Sequence, residues 1–578
     1  MSRKHILKER DTHMPIQIIA GGSGSGKTTC VINEVIKKSI ENPSGNYIVV
    51  VPEQYTMSTQ KKLVESHPRK GILNIDVVSF ERLAFKVFEE IGGENRPVLD
   101  DTGKNLIVRK VLEDSRKELQ YFRSSINKVG FVSELKSVIS ELLQYDYSPE
   151  KFMAIGADIK DNNLLKSKIS DIGLVYDRFK QYLHDNYITS EEILDVLCDL
   201  VEESERIRNS ELVFDGFTGF TPIQYKLIRI LAGCCKNITV TVTIDVGEKF
   251  NVMDGMENIF FMSKEMISKL SKINDEICRE KHPKDIQIIE GDCKRFKSRQ
   301  LAFLEKNIFR GGVNQYIYNS GEDKNHQDIR MFNARTVKDE ITYAASEIIR
   351  LTRQEGYRYR DIAVVSGDMS TYGVLAGNVF AQNSIPVFVD AKKPVTDNPL
   401  IEMIRGVLDM IYKNYTYDTV FRYLRSNMTG IAREDIDILD NYCLAVGIHG
   451  SSSWHKPWTR KGRASNGFVL SDLNGLREKM LETVIPLEEV LKSKDATVKD
   501  RVTALYEFLR SNNCQEKMSR MGEEYDRKSE YEQIYKKVIE LFDKMVELLG
   551  NQVVSLFEFN KILDSGFGEI KVGLIPPS

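Results

Sequence analysis

The sequence predicts an α/β protein built from two parallel-sheet domains, each interrupted by a long, largely helical insertion. Three observations carry that expectation. Strand-like and helix-like segments alternate through the first hundred residues or so, the pattern of a parallel sheet with helices on both faces. A second alternation of the same kind begins after about residue 325. The intervening and following stretches carry apolar residues at helical spacing and almost no strand signal.

In chain order, residues 1–13 read as an extension, and Ile16 to Ala20 as a strand. The glycine-rich GGSGSGKTT, Gly21 to Thr29, leads into a helix that runs to about Asn42. Asn46 to Val51 is a continuous apolar run stopped by Pro52, as in a strand buried on both faces. A helix at 55–66, a strand at 75–78 and a helix at 80–91 complete a βαβαβα series. From 97 to 210 the spacing is helical, as in Leu106, Val108, Val111 and Leu112, and again in Ile172, Val175, Tyr176, Phe179 and Leu183. Strand patterning returns at 211–215 (ELVFD) and 238–244 (ITVTVTI). The first domain is therefore expected at 14–96 and 211–325, with 97–210 inserted into it.

The second domain is expected at 326–410 and 570–578. It has strands at 329–333, 361–365 and 385–389, a helix at 338–352, and a returning strand at 570–575. Residues 411–569 form its helical insertion, with an exposed loop at 449–468. The second domain reads as cut short at Ser578.

Composition bounds the function. The 578 residues suggest about four domains. Hydrophobic residues at 41% and charged residues at 29% exclude a disordered or collagen-like chain. Lys+Arg 81 against Asp+Glu 84 gives net charge −3, so a nucleic-acid surface has to be a local basic track. No apolar run is long enough for a membrane span, and the charged N-terminus lacks the apolar core of a signal peptide. The eight cysteines form no CxxC pair and read as reduced thiols of a cytoplasmic protein. The histidines include no HExxH, so no zinc site is expected.

Gly21-x-x-x-x-Gly26-Lys27-Thr28 matches the phosphate-binding loop. Glycines let successive backbone N–H groups turn inward around a phosphate, and the next helix presents its N-terminus to the anion. Gly21, Gly22, Ser23, Gly24, Ser25, Gly26, Lys27, Thr28 and Thr29 are the nucleotide-binding candidates. Lys27 would reach the β- and γ-phosphates of ATP, and Thr28 would offer its hydroxyl to Mg²⁺. The alternative is a glycine-rich turn with no ligand.

Asp215, at the end of LVFD, is the candidate for the Mg²⁺-directed carboxylate of a Walker B strand. The next residue is Gly216, where hydrolysis needs a carboxylate to orient water. General-base assistance is worth about 10²–10⁴ in rate. The pattern therefore favours holding nucleotide over hydrolysing it, and no residue is assigned a catalytic role. The alternative is that Asp215 only opens the turn DGFTGF.

Five segments narrow the reading: GGSGSGKTT, VVVPEQYT (Val49–Thr56), VVSFERLAFKVFEEIGG (Val77–Gly93), FDGFTGFTPIQ (Phe214–Gln224) and YRDIAVVSGD (Tyr359–Asp368). In these the chain resembles the B subunit of the AddAB (RexAB) helicase–nucleases across residues 14–578, most strongly in the first hundred. The resemblance implies two RecA-like P-loop domains on the superfamily 1 helicase plan 1A-1B-2A-2B. It also implies a heterodimer with an AddA/RexA-type helicase–nuclease subunit, acting on single-stranded and double-stranded DNA ends in double-strand break repair by homologous recombination. In that family the B subunit keeps a motor-like body without motor activity and scans single-stranded DNA for a Chi hotspot. Gly216, Gly367 after AVVS, and the lack of a glutamine-bearing segment before the first strand agree with a lost motor.

Family members are about twice this length, and their C-terminal half carries a nuclease domain with its Mg²⁺ and four cysteines for an iron–sulfur cluster. No matching residues occur here, so the chain reads as an N-terminal part that lacks nuclease and helicase activity alone.

By resemblance the hotspot-reading residues fall on Gln54, Thr56, Phe80, Arg82 and Phe85, with Phe217 as a further candidate. Phe85 stands where the family commonly has Trp. Aromatic rings stack on unpaired bases, Arg pairs with guanine and Gln with adenine. The alternative places Phe80 and Phe85 in the core of an amphipathic helix. Lys61-Lys62, Lys294-Arg295 and Arg460-Lys461, and the cluster Trp454, His455, Lys456 and Trp458, are further candidates for DNA contact, with solvated surface or a loop anchor as the alternative. Two competing functions remain at this point: an active superfamily 1 helicase, and a P-loop small-molecule phosphotransferase.

Overall fold

A computed structural model describes residues 16–92, 96–128, 130–159, 162–183, 186–245, 247–250, 252–253, 255–277, 286–289, 295–310, 314–318, 328–389, 392–460 and 469–573. The expected extension 1–13, Lys294 and residues 461–468 of the expected loop, Lys461 among them, lie outside the described residues. The chain divides into two compact units. One comprises Met1–Val98, Ile139–Ser148 and His184–Met331, and the other Leu99–Val138, Pro149–Leu183 and Phe332–Ser578.

The first unit is organised by a six-stranded sheet. Its strands are β1 (Ile16–Gly21), β2 (Asn46–Val50), β3 (Ile75–Val78), β4 (Ser210–Phe214), β5 (Asn237–Thr243) and β6 (Ile286–Ile288), in the order β3-β2-β4-β5-β1-β6. Every pairing is parallel, with Ile16 opposite Ile238 and Val50 opposite Phe214. Buried parallel strands need apolar residues on both faces. Accordingly Ile18, Val50, Phe214 and Val240 pack on one side, and Ile19, Val49 and Val213 on the other.

Helices α1 (Lys27–Glu41) and α2 (Thr56–Ser66) cover the second face through Val31, Ile32, Val35, Ile36 and Leu63. Helices α3 (Phe80–Ile91), α4 (Ile193–Leu200), α5 (Pro222–Cys234) and α6 (Phe261–Ile277) cover the first through Leu83, Val87, Leu197, Leu227 and Ile267. Helix α4 and Ile207 thus belong to the sheet's own core, although helical spacing alone places them with the insertion. Strand β6 has no counterpart in the sequence reading. It is three residues long and its middle residue is polar.

In the second unit, helix Asp101–Ser115 packs against Leu556–Glu569 and Lys528–Leu549. Residues 99–138 and 149–183 of the first expected helical region therefore share one body with the second. Glu569 ties them together, accepting from Asn105 (2.7 Å) and Ser133 (2.5 Å) and pairing with Lys136 (2.8 Å). Burial pushes this carboxyl upward, but the bonds from Lys136 and Ser133 outweigh it and the net shift is downward. The stabilisation is complete above the ordinary glutamate value of about 4.3 and is lost as pH falls through the lowered folded value. Glu569→Ala leaves Lys136 buried without its carboxylate. It is expected to cost about 3–5 kcal/mol in thermal unfolding at neutral pH, with a smaller deficit near pH 3.

The strands expected in the second domain do not form as expected. Residues 362–366 and 385–389 join no β-ladder, nor do the described residues 328–334. Val365 is 92% exposed and Met331 98%. A strand needs a neighbouring strand for its row of N–H and C=O groups, and no described strand pairs with these segments. The only ladder at these positions among the described residues is antiparallel, Lys571–Val572 with Lys393–Pro394. Residues 574–575 of the expected returning strand are outside the described residues. A small core, with Ile341, Ala345 and Ile348 on helix Val337–Gln354, packs against Val379, Phe380 and Ile385.

Candidate functional site

The glycine-rich loop sits between β1 and α1, at the carboxyl edge of the parallel sheet. Ligands of open α/β sheets bind at that edge. Gly26 caps α1 with φ 101°, a left-handed conformation open to glycine, and the Ser25 N–H closes a turn onto the Gly22 carbonyl at 3.2 Å. The Lys27 ammonium folds back on the Gly21 and Gly22 carbonyls at 2.9 and 2.8 Å and is 9% exposed.

Asp215 follows β4, its N–H bonded to the Val50 carbonyl at 3.0 Å. Its Oδ1 accepts from the Thr28 hydroxyl at 3.2 Å and the Thr241 hydroxyl at 2.6 Å. Two residues 187 apart in sequence, both predicted as Mg²⁺-directed, therefore meet. Adjacent ligand oxygens of an octahedral Mg²⁺ with bonds of about 2.1 Å lie about 3 Å apart. The hard oxygens of Thr28 and Asp215 fit such an ion.

An open cleft of about 980 Å³ spreads over the loop. The predicted residues Ser23 to Thr29 line it, with Asp215, Gly216 and Phe217. Tyr55, Ser58, Thr59, Lys62, Thr241, Thr243 and Arg295 also line it, and the sequence reading gave none of them this role. The Lys62 ammonium stands 3.5 Å from the Thr29 hydroxyl, so the Lys61-Lys62 segment brings a second cation to the phosphate end. Alternation in NITVTVT was the available signal for Thr241. Period two sends Thr239, Thr241 and Thr243 to one face and Ile238, Val240 and Val242 to the core of the other.

Gly216 has φ 81°, the left-handed region; a Cβ added there would meet Pro52 and Tyr55 only at ordinary contact distance, so the constraint is the backbone itself. The missing carboxylate is thus matched by a backbone that disfavours any residue with a Cβ.

The predicted DNA-reading residues divide by exposure. Gln54 lies in the exposed turn Glu53–Tyr55, Phe85 is 39% exposed, and Arg82 is paired with Glu53 at 3.0 Å, both side chains more than half exposed. Arg82 and Phe85 stand three apart on α3 and so share a face. The Ser79 side chain caps this helix through the Arg82 N–H.

Phe80 is buried among Phe214, Phe217 and Phe220, with ring centroids 5.4 to 6.2 Å away, and no face is left for a base. Thr56 is also buried, its hydroxyl donated to the Glu53 carbonyl. Phe80 thus belongs to the core of the first unit, and Thr56 ties down the turn that carries Gln54. Phe217 is half-buried at the rim of the cleft. Trp454 and Trp458 are buried in the second unit, 5.1 Å apart, with the Trp458 indole N–H donated to the Ser453 carbonyl. That pair is a loop anchor.

The family described as "ADDB, N-terminal" matches residues 18–305. The B subunit of the ATP-dependent helicase/deoxyribonuclease of Lachnoclostridium phytofermentans is 42% identical over 98% of this chain and 50% of its own length. The chain belongs to the AddB family. The corresponding B subunits of Clostridium novyi and Caldanaerobacter subterraneus, members under the same name, are 33% and 34% identical over 98% of the chain. The chain spans about half the length of these AddB-type relatives. Among the described residues, no helix is long and apolar enough to cross a membrane.

Proposed function

We propose that this chain is the ATP-binding, single-stranded-DNA-binding body of the AddB-type partner in a heterodimeric helicase–nuclease that processes double-strand breaks for homologous recombination in the cytoplasm. Its motor is degenerate and serves to scan for a Chi-type hotspot. The observation that carries the reading is the junction of Thr28 and Asp215 beneath the phosphate loop, with Gly216 where a hydrolytic carboxylate would stand. Lys27 and the loop N–H groups would hold the phosphates of ATP, and Thr28 with Asp215 would hold its Mg²⁺. Exposed Gln54, Arg82 and Phe85 support base reading on the same unit. On this reading the segments at 328–334, 362–366 and 385–389 belong to a second RecA-like domain, and 1A-1B-2A-2B is the domain plan. The other member of the heterodimer is of the AddA/RexA type. The nuclease metal and iron–sulfur cluster belong to the part of the relatives that this chain does not match.

Co-expression with a candidate AddA-type chain, followed by capture on single-stranded DNA, tests the assembly. Joint retention of both chains is expected, and capture of only the AddA-type chain would overturn the reading. A second test concerns Gly216. Gly216→Glu is expected to lower stability by about 1–2 kcal/mol, without creating DNA-stimulated ATP hydrolysis. The left-handed backbone strains any residue that carries a Cβ at this position. A gain of turnover in this variant would show that the rest of a motor site is intact.

A further inference from the structure

Thr241 is 4% exposed as a residue, and its hydroxyl donates a 2.6 Å bond to Asp215 Oδ1, while the Gly216 N–H reaches the same hydroxyl at 3.4 Å. Strand β5 lies between the strand that ends at Asp215 and the strand that enters the phosphate loop, with Thr241 opposite Ile19 and Val240 opposite Phe214. This hydroxyl is therefore fixed by the sheet itself, whereas the carboxylate it holds emerges from a turn. A short bond to a carboxylate is among the stronger neutral-donor contacts, and strand placement makes its direction nearly invariant. Without it, Asp215 keeps only the longer bond from Thr28 among the hydrogen bonds to its side chain described here.

We infer that Thr241 is a positioning residue for the divalent-cation end of this nucleotide site: its hydroxyl, donated from the middle of the sheet, orients the Asp215 carboxylate toward Thr28. The inference rests on the proposed reading of the cleft as a site for a nucleoside triphosphate with Mg²⁺. Thr241 acts through Asp215. It sets the geometry in which Asp215 and Thr28 meet the ion, and so acts on Mg²⁺-dependent affinity alone. Lys27 and the loop N–H groups do not depend on it.

The test is nucleotide affinity of the intact protein, measured with a fluorescent ATP analogue in Mg²⁺ and again in EDTA. Thr241→Val keeps strand propensity and side-chain shape but removes the donor, and Thr241→Ser keeps the donor. Thr241→Ala serves as a second donor-free variant should the valine protein fold poorly. Loss of one charge-assisted bond predicts affinity in Mg²⁺ reduced about 10-fold in the valine and alanine proteins, with affinity in EDTA unchanged and the serine protein close to wild type. Mn²⁺ bound with nucleotide, followed by electron paramagnetic resonance, should weaken in parallel. Unchanged or tighter binding in Mg²⁺ would overturn the inference, as would equal losses with and without the cation. Wild-type protein that binds no nucleotide in either condition would instead overturn the reading of the cleft, and the inference with it.

Discussion

Replacing Lys27 with alanine is expected to weaken ATP binding by about 10- to 150-fold, the equivalent of one charge-assisted contact of about 1.5–3 kcal/mol. The lysine is buried against the Gly21 and Gly22 carbonyls at the base of the loop. Its ammonium thus already sits among oxygen acceptors at the base of the loop, where phosphate oxygens would replace the two carbonyls. Equilibrium binding of a labelled nucleotide measures the loss. DNA unwinding by the complete complex should barely change if, as proposed, the site lacks the carboxylate that orients water at Gly216. Collapse of unwinding in the Lys27→Ala complex would contradict the accessory role.

Arg82→Ala is the second large effect. Pairing with a guanine edge predicts a loss of about 1–3 kcal/mol on the hotspot strand and little on a scrambled one. The Glu53–Arg82 pair does not oppose this. Both side chains are more than half exposed, and such a pair is worth about 0–1 kcal/mol, so the guanidinium can leave it for a base. A phosphate contact behaves differently, weakening all sequences alike and flattening the salt dependence. Affinities for hotspot and scrambled oligonucleotides at two salt concentrations, in the complete heterodimer, separate the two cases. Equal losses would make Arg82 a backbone contact, and no loss on either strand would remove it from the DNA surface.

The first unit was legible in the sequence where one signal had one structural outcome. An apolar strand, a glycine turn and a lysine-led helix can only be arranged as β1, the loop and α1. Val49 to Val51 and ELVFD carried the density of apolar residues that a doubly covered strand requires. Helical spacing, by contrast, does not say which surface a helix covers, so α4 reads with the insertion although Ile193 and Leu197 pack under the sheet. The spacing between Phe80 and Phe85 left their faces open. The aromatic cluster with Phe214, Phe217 and Phe220 depends on β4 and the turn after it, far along the chain, and no local pattern announces it. For the same reason the threonine stripe on β5 read only as a strand. Its role depends on lying beside Asp215, which only the order of strands in the sheet supplies. The apolar runs at 361–365 and 385–389 gave a clear strand signal, but pairing is a property of neighbours, and none was found among the described residues.

The central claim is that this site holds nucleotide without turning it over. It is tested most directly by ATP hydrolysis in the complete complex, with the phosphate-loop lysine of the AddA-type chain replaced so that only the site built on Lys27 remains. At saturating single-stranded DNA the account predicts nucleotide bound in a Lys27-dependent way, with no DNA-stimulated release of phosphate. Stimulated turnover in the ordinary enzyme range of about 1–10³ s⁻¹, abolished by Lys27→Ala, would contradict it.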